Sequence, residues 1–343
     1  MRSLTRPTAI AIAIVVVAAL AFAPRATQAQ GKIELNIGSL APKGTPWMEL
    51  LEDVEKIIEK DSGDRINVII RPPGIMGEVE MVRETRKGER LQGAAVTTAA
   101  IAEGGNIPQL SIVELPFLFD TNAEADHVLD NVLWDPYSEI LEKRGFKLGV
   151  WSENGWRSFA TKGEPIKLPE DVKKHKMRCQ ESDVHVAMYK SFGATPIQKP
   201  MTEVLTSLQS NVIDGLDNTA LYIQAGGLAE PLDSFTMTRH IYQPAAVVFS
   251  KRWFDALPPD LQTVVMKPKT LAAGGREAIR EEDKLMIEQF ELFSVEVINL
   301  STEERGAFAN VASKIHDEYA ATVTDGPALL KKIRDALAEF RKK

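Results

Sequence analysis

Thiols are almost absent from this chain: Cys179 is the one cysteine in 343 residues. A single cysteine excludes an intrachain disulfide and any multi-cysteine metal site. Excess positive charge is missing too. Asp and Glu number 48 against 41 Lys and Arg, a net charge of −7. An acidic chain without a basic domain is a poor partner for nucleic acid or an anionic membrane. Beyond the N-terminus there is no apolar run approaching the roughly 18–20 residues of a spanning helix. The sequence also lacks His-Glu-x-x-His, Cys-x-x-Cys, the phosphate-binding loop, Gly-x-Ser-x-Gly and a calcium loop. His127, His175, His185, His240 and His316 show no metal-ligand spacing and read as core or surface histidines. Cys179 has no paired base or redox motif beside it and reads as a small buried filler. No metal, cofactor or catalytic residue is therefore expected. Repeats, low-complexity tracts and Ser/Gly linkers are absent as well.

What is present starts with a leader. Met1–Arg6 carries two arginines, Ala9–Ala23 is apolar, and Thr27-Gln28-Ala29 is a small-x-small site. That order is a secretory signal peptide, and its 15-residue apolar run is too short to span a bilayer. Cleavage near Ala29 removes three arginines and no acid, which takes the net charge from −7 to −10. The expected destination is the periplasm. The remaining length, with 44% hydrophobic and 26% charged residues, fits about two globular domains.

Strand and helix patterns alternate along the mature chain. Ile33–Ile37 reads as a strand, and Ser39–Gly44 as a loop. A helix then opens at Thr45-Pro46, with apolar residues at 3- and 4-residue spacing to Ile58. Ile66–Ile70 is a β-branched strand stopped by Pro72-Pro73-Gly74. Glu78–Lys87 (helix), Gly93–Thr98 (strand), Ala123–Lys143 (helix) and Phe146–Trp151 (strand) continue the alternation. A second run follows: Lys176–Cys179, Asp183–Phe192, Thr202–Gln209, Val212–Leu216 and an extended Ser234–Ser250. Pro258–Phe293 is helical, with interruptions expected at Pro268 and Gly274-Gly275. Helices over Thr302–Val323 and Pro327–Arg341 close the chain. This order predicts an α/β fold with parallel crossovers.

Three constellations stand out. Asn154-Gly155-Trp156-Arg157 lies where the first run hands over to the second and suits a hinge presenting a cation and a ring, or a turn with a surface arginine. Lys176-Met177-Arg178-Cys179 is a strand whose arginine sits between apolar neighbours. Arg178 reads equally as a carboxylate ligand facing a crevice and as half of a structural ion pair. In Val212-Ile213-Asp214-Gly215-Leu216-Asp217-Asn218, Asn218 either caps the helix opening at Thr219 or faces a ligand.

Taken with Gly77–Val82, Glu114–Phe119 and Thr202-Glu203-Val204, these blocks run in the order of one family. The chain resembles the DctP-type substrate-binding proteins of tripartite ATP-independent periplasmic (TRAP) transporters over nearly its whole mature length. The resemblance implies a type II periplasmic-binding-protein fold: two lobes around a ligand cleft, with a long crossing helix. The expected lobes are 30–153 plus about 243–280, and 154–242 plus about 281–343. The family's carboxylate-binding arginine falls on Arg178, a second ligand-facing arginine on Arg157 and a pocket asparagine on Asn218. Thr97 and Thr98 are expected on one wall, and Trp156, Met201 and Tyr242 on the rest. Trp151, Trp156 and Tyr242 would make the cleft aromatic, and the 39–44 loop should approach it. The implied partners are a small carboxylate and the small and large permease subunits, with the receptor a monomer. A ligand sensor of the same fold docking to a signalling receptor is the second reading. A secreted hydrolase using Cys179 or a serine is the third.

Overall fold

A computed structural model describes residues 31–72 and 76–342, so the leader expected over 1–29, Pro73 and Gly74 lie outside the described residues. The elements follow the local periodicities closely. β1 (Ile33–Ser39) leads into α1 (Pro46–Asp61), which buries Leu50, Leu51, Val54 and Ile58 on one face. Thr45 holds the N-cap position of α1 but turns its hydroxyl to the Pro42 carbonyl at 2.7 Å. β2 (Ile66–Arg71), α2 (Glu78–Lys87), β3 (Gly93–Thr97) and α3 (Thr98–Gly105) continue the alternation. The helix expected over 123–143 is α4 (Asn122–His127), a π-helical segment (Val128–Leu133) and α5 (Trp134–Lys143).

β4 (Phe146–Thr161) runs straight through the expected hinge. It is followed by β5 (Arg178–Cys179), α6 (Asp183–Ser191), β6 (Ile197–Gln198), α7 (Val204–Gln209), β7 (Gly215–Asn218) and α8 (Ala220–Ala225). β8 (Ser234–Ser250), α9 (Lys251–Asp255), α10 (Pro259–Met266) and α11 (Ala272–Gln289) come next. β9 (Glu296–Ile298), α12 (Thr302–Ala312), α13 (Ile315–Thr322) and α14 (Gly326–Phe340) complete the chain. Pro268 falls in a 3-10 segment (Lys267–Leu271) that separates α10 from α11, as expected. Gly274 and Gly275, by contrast, lie within unbroken α11. A Cβ on Gly275 would come to 3.0 Å of Leu50 Cδ1, so this glycine lets α11 press against α1.

The larger sheet has the order β2-β1-β3-β8-β4-β7, with β9 on β8. The expectation of parallel crossovers holds only in part. β1 is parallel to β2 and β3, and β8 to β9, but β8 is antiparallel to β3 and to β4, and β4 is antiparallel to β7. The reason is that β4 and β8 are 16- and 17-residue strands that pair with each other along most of their length. At about 3.3 Å per residue each spans roughly 50 Å and serves both lobes. One apolar core packs α1 and α10 on β1, β2 and the far ends of β4 and β8, using Leu35, Val54, Val150, Phe249 and Leu261. A second gathers Ala160, Val204, Leu216, Ile223, Phe235 and Phe290 around β7. A third core, which includes α13 and α14, extends along the side of the molecule. α11 is the crossing helix. Its Arg280 bonds Glu153 Oε2 of β4 at 2.6 Å and Asp126 of α4 at 2.8 Å.

Candidate ligand-binding site

A cavity of about 90 Å³ opens between the lobes. That is several times the ~10–15 Å³ that one water needs, so it has room for a small solute. Arg178, Arg157, Asn218, Thr97 and Met201 all line it, as do Ser39 at the end of β1 and Leu40 and Ala41 just after it. Residues distant in sequence meet here because β3, β8 and β4 are neighbours in one sheet and β5 and β7 start side by side at the Met177–Gly215 bridge.

The two arginines are in opposite states. Arg157 is 1% exposed and fully engaged. Its Nε donates to Asp217 Oδ2 at 2.5 Å, Nη2 to the Asp217 carbonyl, and Nη1 to Gln243 Oε1 at 2.8 Å and Asn218 Oδ1 at 3.3 Å. Burial works to raise the Asp217 carboxyl, but Arg157 and His240 overcome it and hold Asp217 well below the usual carboxylate range. Arg178 is also 1% exposed. Its Nε and Nη2 both donate to one neutral acceptor, the Lys199 carbonyl, at 3.0 and 2.8 Å. Nη1 has no hydrogen-bond partner among the described residues. Among the described residues no carboxylate forms an ion pair with Arg178. Burial, and then the nearby Arg157 charge, pull this guanidinium below its ordinary range. A buried cation without an anion costs free energy, and the remedy is a bound anion.

An amide relay joins Arg157 to the opposite wall. Asn154 Nδ2 donates to Asn218 Oδ1 at 3.0 Å and Gln243 Oε1 at 2.8 Å. Gln243 Nε2 donates to Gln180 Oε1 at 2.9 Å, and Gln180 Nε2 to Thr97 Oγ1 at 2.9 Å. Asn154 can take part because β4 is bulged between Glu153 and Gly155, with Gly155 at φ 113°. Such a bulge re-aims one side chain, and glycine tolerates that backbone. Glu78 accepts from Thr97 N at 2.8 Å and Thr97 Oγ1 at 3.2 Å, while burial pushes its carboxyl up.

Three of the expected wall residues lie elsewhere. Thr98 Oγ1 turns inward to Glu114 and the Pro244 carbonyl. Trp156 Nε1 donates to Asn122 Oδ1 at 2.6 Å, and its ring stacks against Arg239 on another face of β4. Tyr242 OH donates to Glu153 Oε2. Side chains alternate along a strand, so Gln243 faces the cavity and Tyr242 does not. Trp151 is likewise packed against Trp134 and Tyr137. The aromatic wall consists of Trp47 and Tyr222, whose ring centroids are 5.9 Å apart. Trp47 is held there by its Nε1 bond to the Glu153 carbonyl at 2.9 Å. Thr219, and not Asn218, caps α8, accepting from Tyr222 N at 3.2 Å.

The residues that sequence reasoning missed are Gln180, Gln243, Glu78, Trp47 and Tyr222. Only Gln180 carried a local signal, standing two positions past Arg178 on the same side of the strand. Cys179 is fully buried, and burial pushes its thiol up, so it presents no thiolate. Among the described residues no cluster of His, Cys, Asp or Glu is arranged to hold a metal.

Comparison with known proteins gives a consistent picture. Residues 37–322 match the family model described as bacterial extracellular solute-binding protein, family 7. The chain is similar to the 2,3-diketo-L-gulonate-binding periplasmic protein YiaO of Escherichia coli, at 31% identity over 67% of this chain and 70% of that one. It is 25% identical to the C4-dicarboxylate-binding periplasmic protein DctP of Rhodobacter capsulatus, over 90% of this chain and 92% of that one. Among solved structures, the sugar acid binding protein DctPAm of Advenella mimigardefordensis, in complex with galactonate, superposes with a TM-score of 0.83. That match has 25% identity and covers 89% of this chain and 99% of that one.

Proposed function

The chain belongs to family 7 of the bacterial extracellular solute-binding proteins, and from that premise we propose that it captures a small organic carboxylate between its lobes and delivers it to the small and large subunits of a TRAP permease. The observation that carries the reading is Arg178: a buried guanidinium at the cavity wall with one nitrogen unpartnered and no protein anion. A carboxylate there would satisfy Nη1 and supply the missing charge. Arg157 serves differently, fixing Asp217, Asn218 and Gln243 so that the amides stay aimed. The export leader and cleavage near Ala29 belong to the same reading, as does a monomeric receptor.

The lobes we assign are 30–153 with about 243–280, and 154–242 with about 281–343. Two apolar cores each lie within one of these sets and support the division, while the most extensive core draws on both. Ligand contacts from both lobes would favour the closed form and so shift the population toward it. The test is thermal unfolding of residues 30–343 against carboxylates and neutral solutes. A ligand at 100 times its dissociation constant adds about 2.7 kcal/mol of stability. Shifts with related acids, lost in Arg178→Ala, support the reading. Shifts with neutral solutes alone reject it.

A further inference from the structure

The cavity has two unlike ends, and the strand register separates them. Gln243, Ala245 and Val247 are alternate residues of β8 and so share one face. Thr97 pairs with Ala245 and Ala95 with Val247 across the β3–β8 ladder, and Ser39 pairs with Ala95. Moving from Gln243 to Val247 covers roughly 13 Å. The Gln243 end holds the arginines and the amide relay. The Val247 end is lined mainly by Ala95, Ala245 and Val247 of the sheet and by Leu50 and Leu51 of α1, with Ser39 beside Ala95 and Ser152 beside Ala245. Ala95 and Ala245 are only partly buried although they lie mid-sheet, because their small side chains leave the cavity open above them.

Charge is distributed just as unevenly. Of the two lining cations among the described residues, Arg157 is spent on Asp217 and Arg178 has no paired acid. The other charged lining groups are acids. Glu78 is bonded to Thr97, and Glu153 is paired with Arg280. A second carboxylate on the ligand would meet these acids or hydrocarbon, and a polyhydroxylated tail would meet mainly alanine, valine and leucine, with Ser39 and Ser152 offering two hydroxyls for its several.

We propose that the ligand is a monocarboxylate with an apolar body, its carboxylate on Arg178 and its hydrocarbon tail over Ala95, Ala245 and Val247. This rests on the carboxylate-receptor reading and narrows it. What separates the class from dicarboxylates and sugar acids is that, among the described residues, no second unpaired cation lines the cavity, and that its far end is mainly apolar.

The test is calorimetric titration of residues 30–343, freed of carried-over ligand by unfolding and refolding. The probes are pyruvate, 2-oxobutanoate, 2-oxopentanoate and 4-methyl-2-oxopentanoate, with succinate and gluconate as contrasts. Affinity should rise about fourfold for each methylene added until the compartment fills. Ala95→Leu, checked by its unfolding temperature, should flatten the series, so that the longer 2-oxo acids bind that variant no more tightly than pyruvate does. If Ala95→Leu fails to fold, the chain-length series on the unmodified protein decides alone. A flat series, or tighter binding of succinate or gluconate than of any 2-oxo acid, overturns the apolar-tail proposal and leaves the carboxylate reading standing. Binding of none of these acids overturns both.

Discussion

Removing Arg178 separates what the fold needs from what the ligand needs. In the ligand-free protein this side chain is a buried cation bonded only to the Lys199 carbonyl, with Nη1 idle. Arg178→Met keeps most of the volume and removes the charge. The loss of a bond to one carbonyl costs about 1 kcal/mol, and relief of the uncompensated buried charge offsets it. The unfolding temperature of the ligand-free protein should therefore change little or rise. Binding should collapse. A charge-assisted bond contributes about 1.5–3 kcal/mol, and a carboxylate left buried without its cation adds a further desolvation cost. A combined loss of at least about 3 kcal/mol is more than ~100-fold in affinity. Arg178→Lys should lose nearly as much, because an ammonium cannot keep the Lys199 carbonyl and still present a planar fork. Calorimetric titration with the tightest-binding acid, together with denaturant unfolding of the ligand-free protein, reads both quantities. An affinity within about threefold of the parent would refute the site assignment. A marked loss of ligand-free stability would refute the argument that the charge is unpaired.

Arg157→Ala should behave in the reverse way. It strands Asp217 without its partner and should cost about 3–5 kcal/mol of unfolding free energy, measurable in urea before any ligand is added. Asp217 should also leave a mark on acid stability. Its folded-state carboxyl is held below the ordinary value, so its contribution is complete above about pH 4 and is lost as pH falls further. Asp217→Asn should be less stable at neutral pH and should flatten the stability profile below pH 4; an unchanged acid limb would contradict the pairing. Gly155→Ala forces a side chain onto φ 113° and 3.3 Å from Thr219 Cγ2, so it should cost more than about 1 kcal/mol and weaken binding by tilting Asn154 away. Equal stability and affinity in that variant would show the bulge to be dispensable.

The helices and short strands were legible because their signals are local. Pro46 at the start of α1, the apolar stripe to Ile58 and the break at Pro268 all needed only neighbouring residues. Strand direction was not legible, because it depends on partners far away in sequence: β4 is expected to end at Trp151 but pairs onward with β8 to Thr161. Arg178 announced itself as a charge between apolar residues in a strand. The engagement of Arg157 was hidden, since Asp217 lies sixty positions away. Thr98, Trp156 and Tyr242 sit next to cavity residues in sequence, and only the strand faces decide which neighbour looks inward. Trp47 and Tyr222 come from α1 and α8, far apart in sequence, and no local pattern links them.

The most direct measurement is a crystal structure of residues 30–343 with the tightest-binding acid. The account predicts a ligand carboxylate oxygen within about 2.7–3.2 Å of Arg178 Nη1, with the rest of the ligand lying toward Val247. A carboxylate placed elsewhere, with Nη1 still unpartnered or bonded only to water, would contradict it.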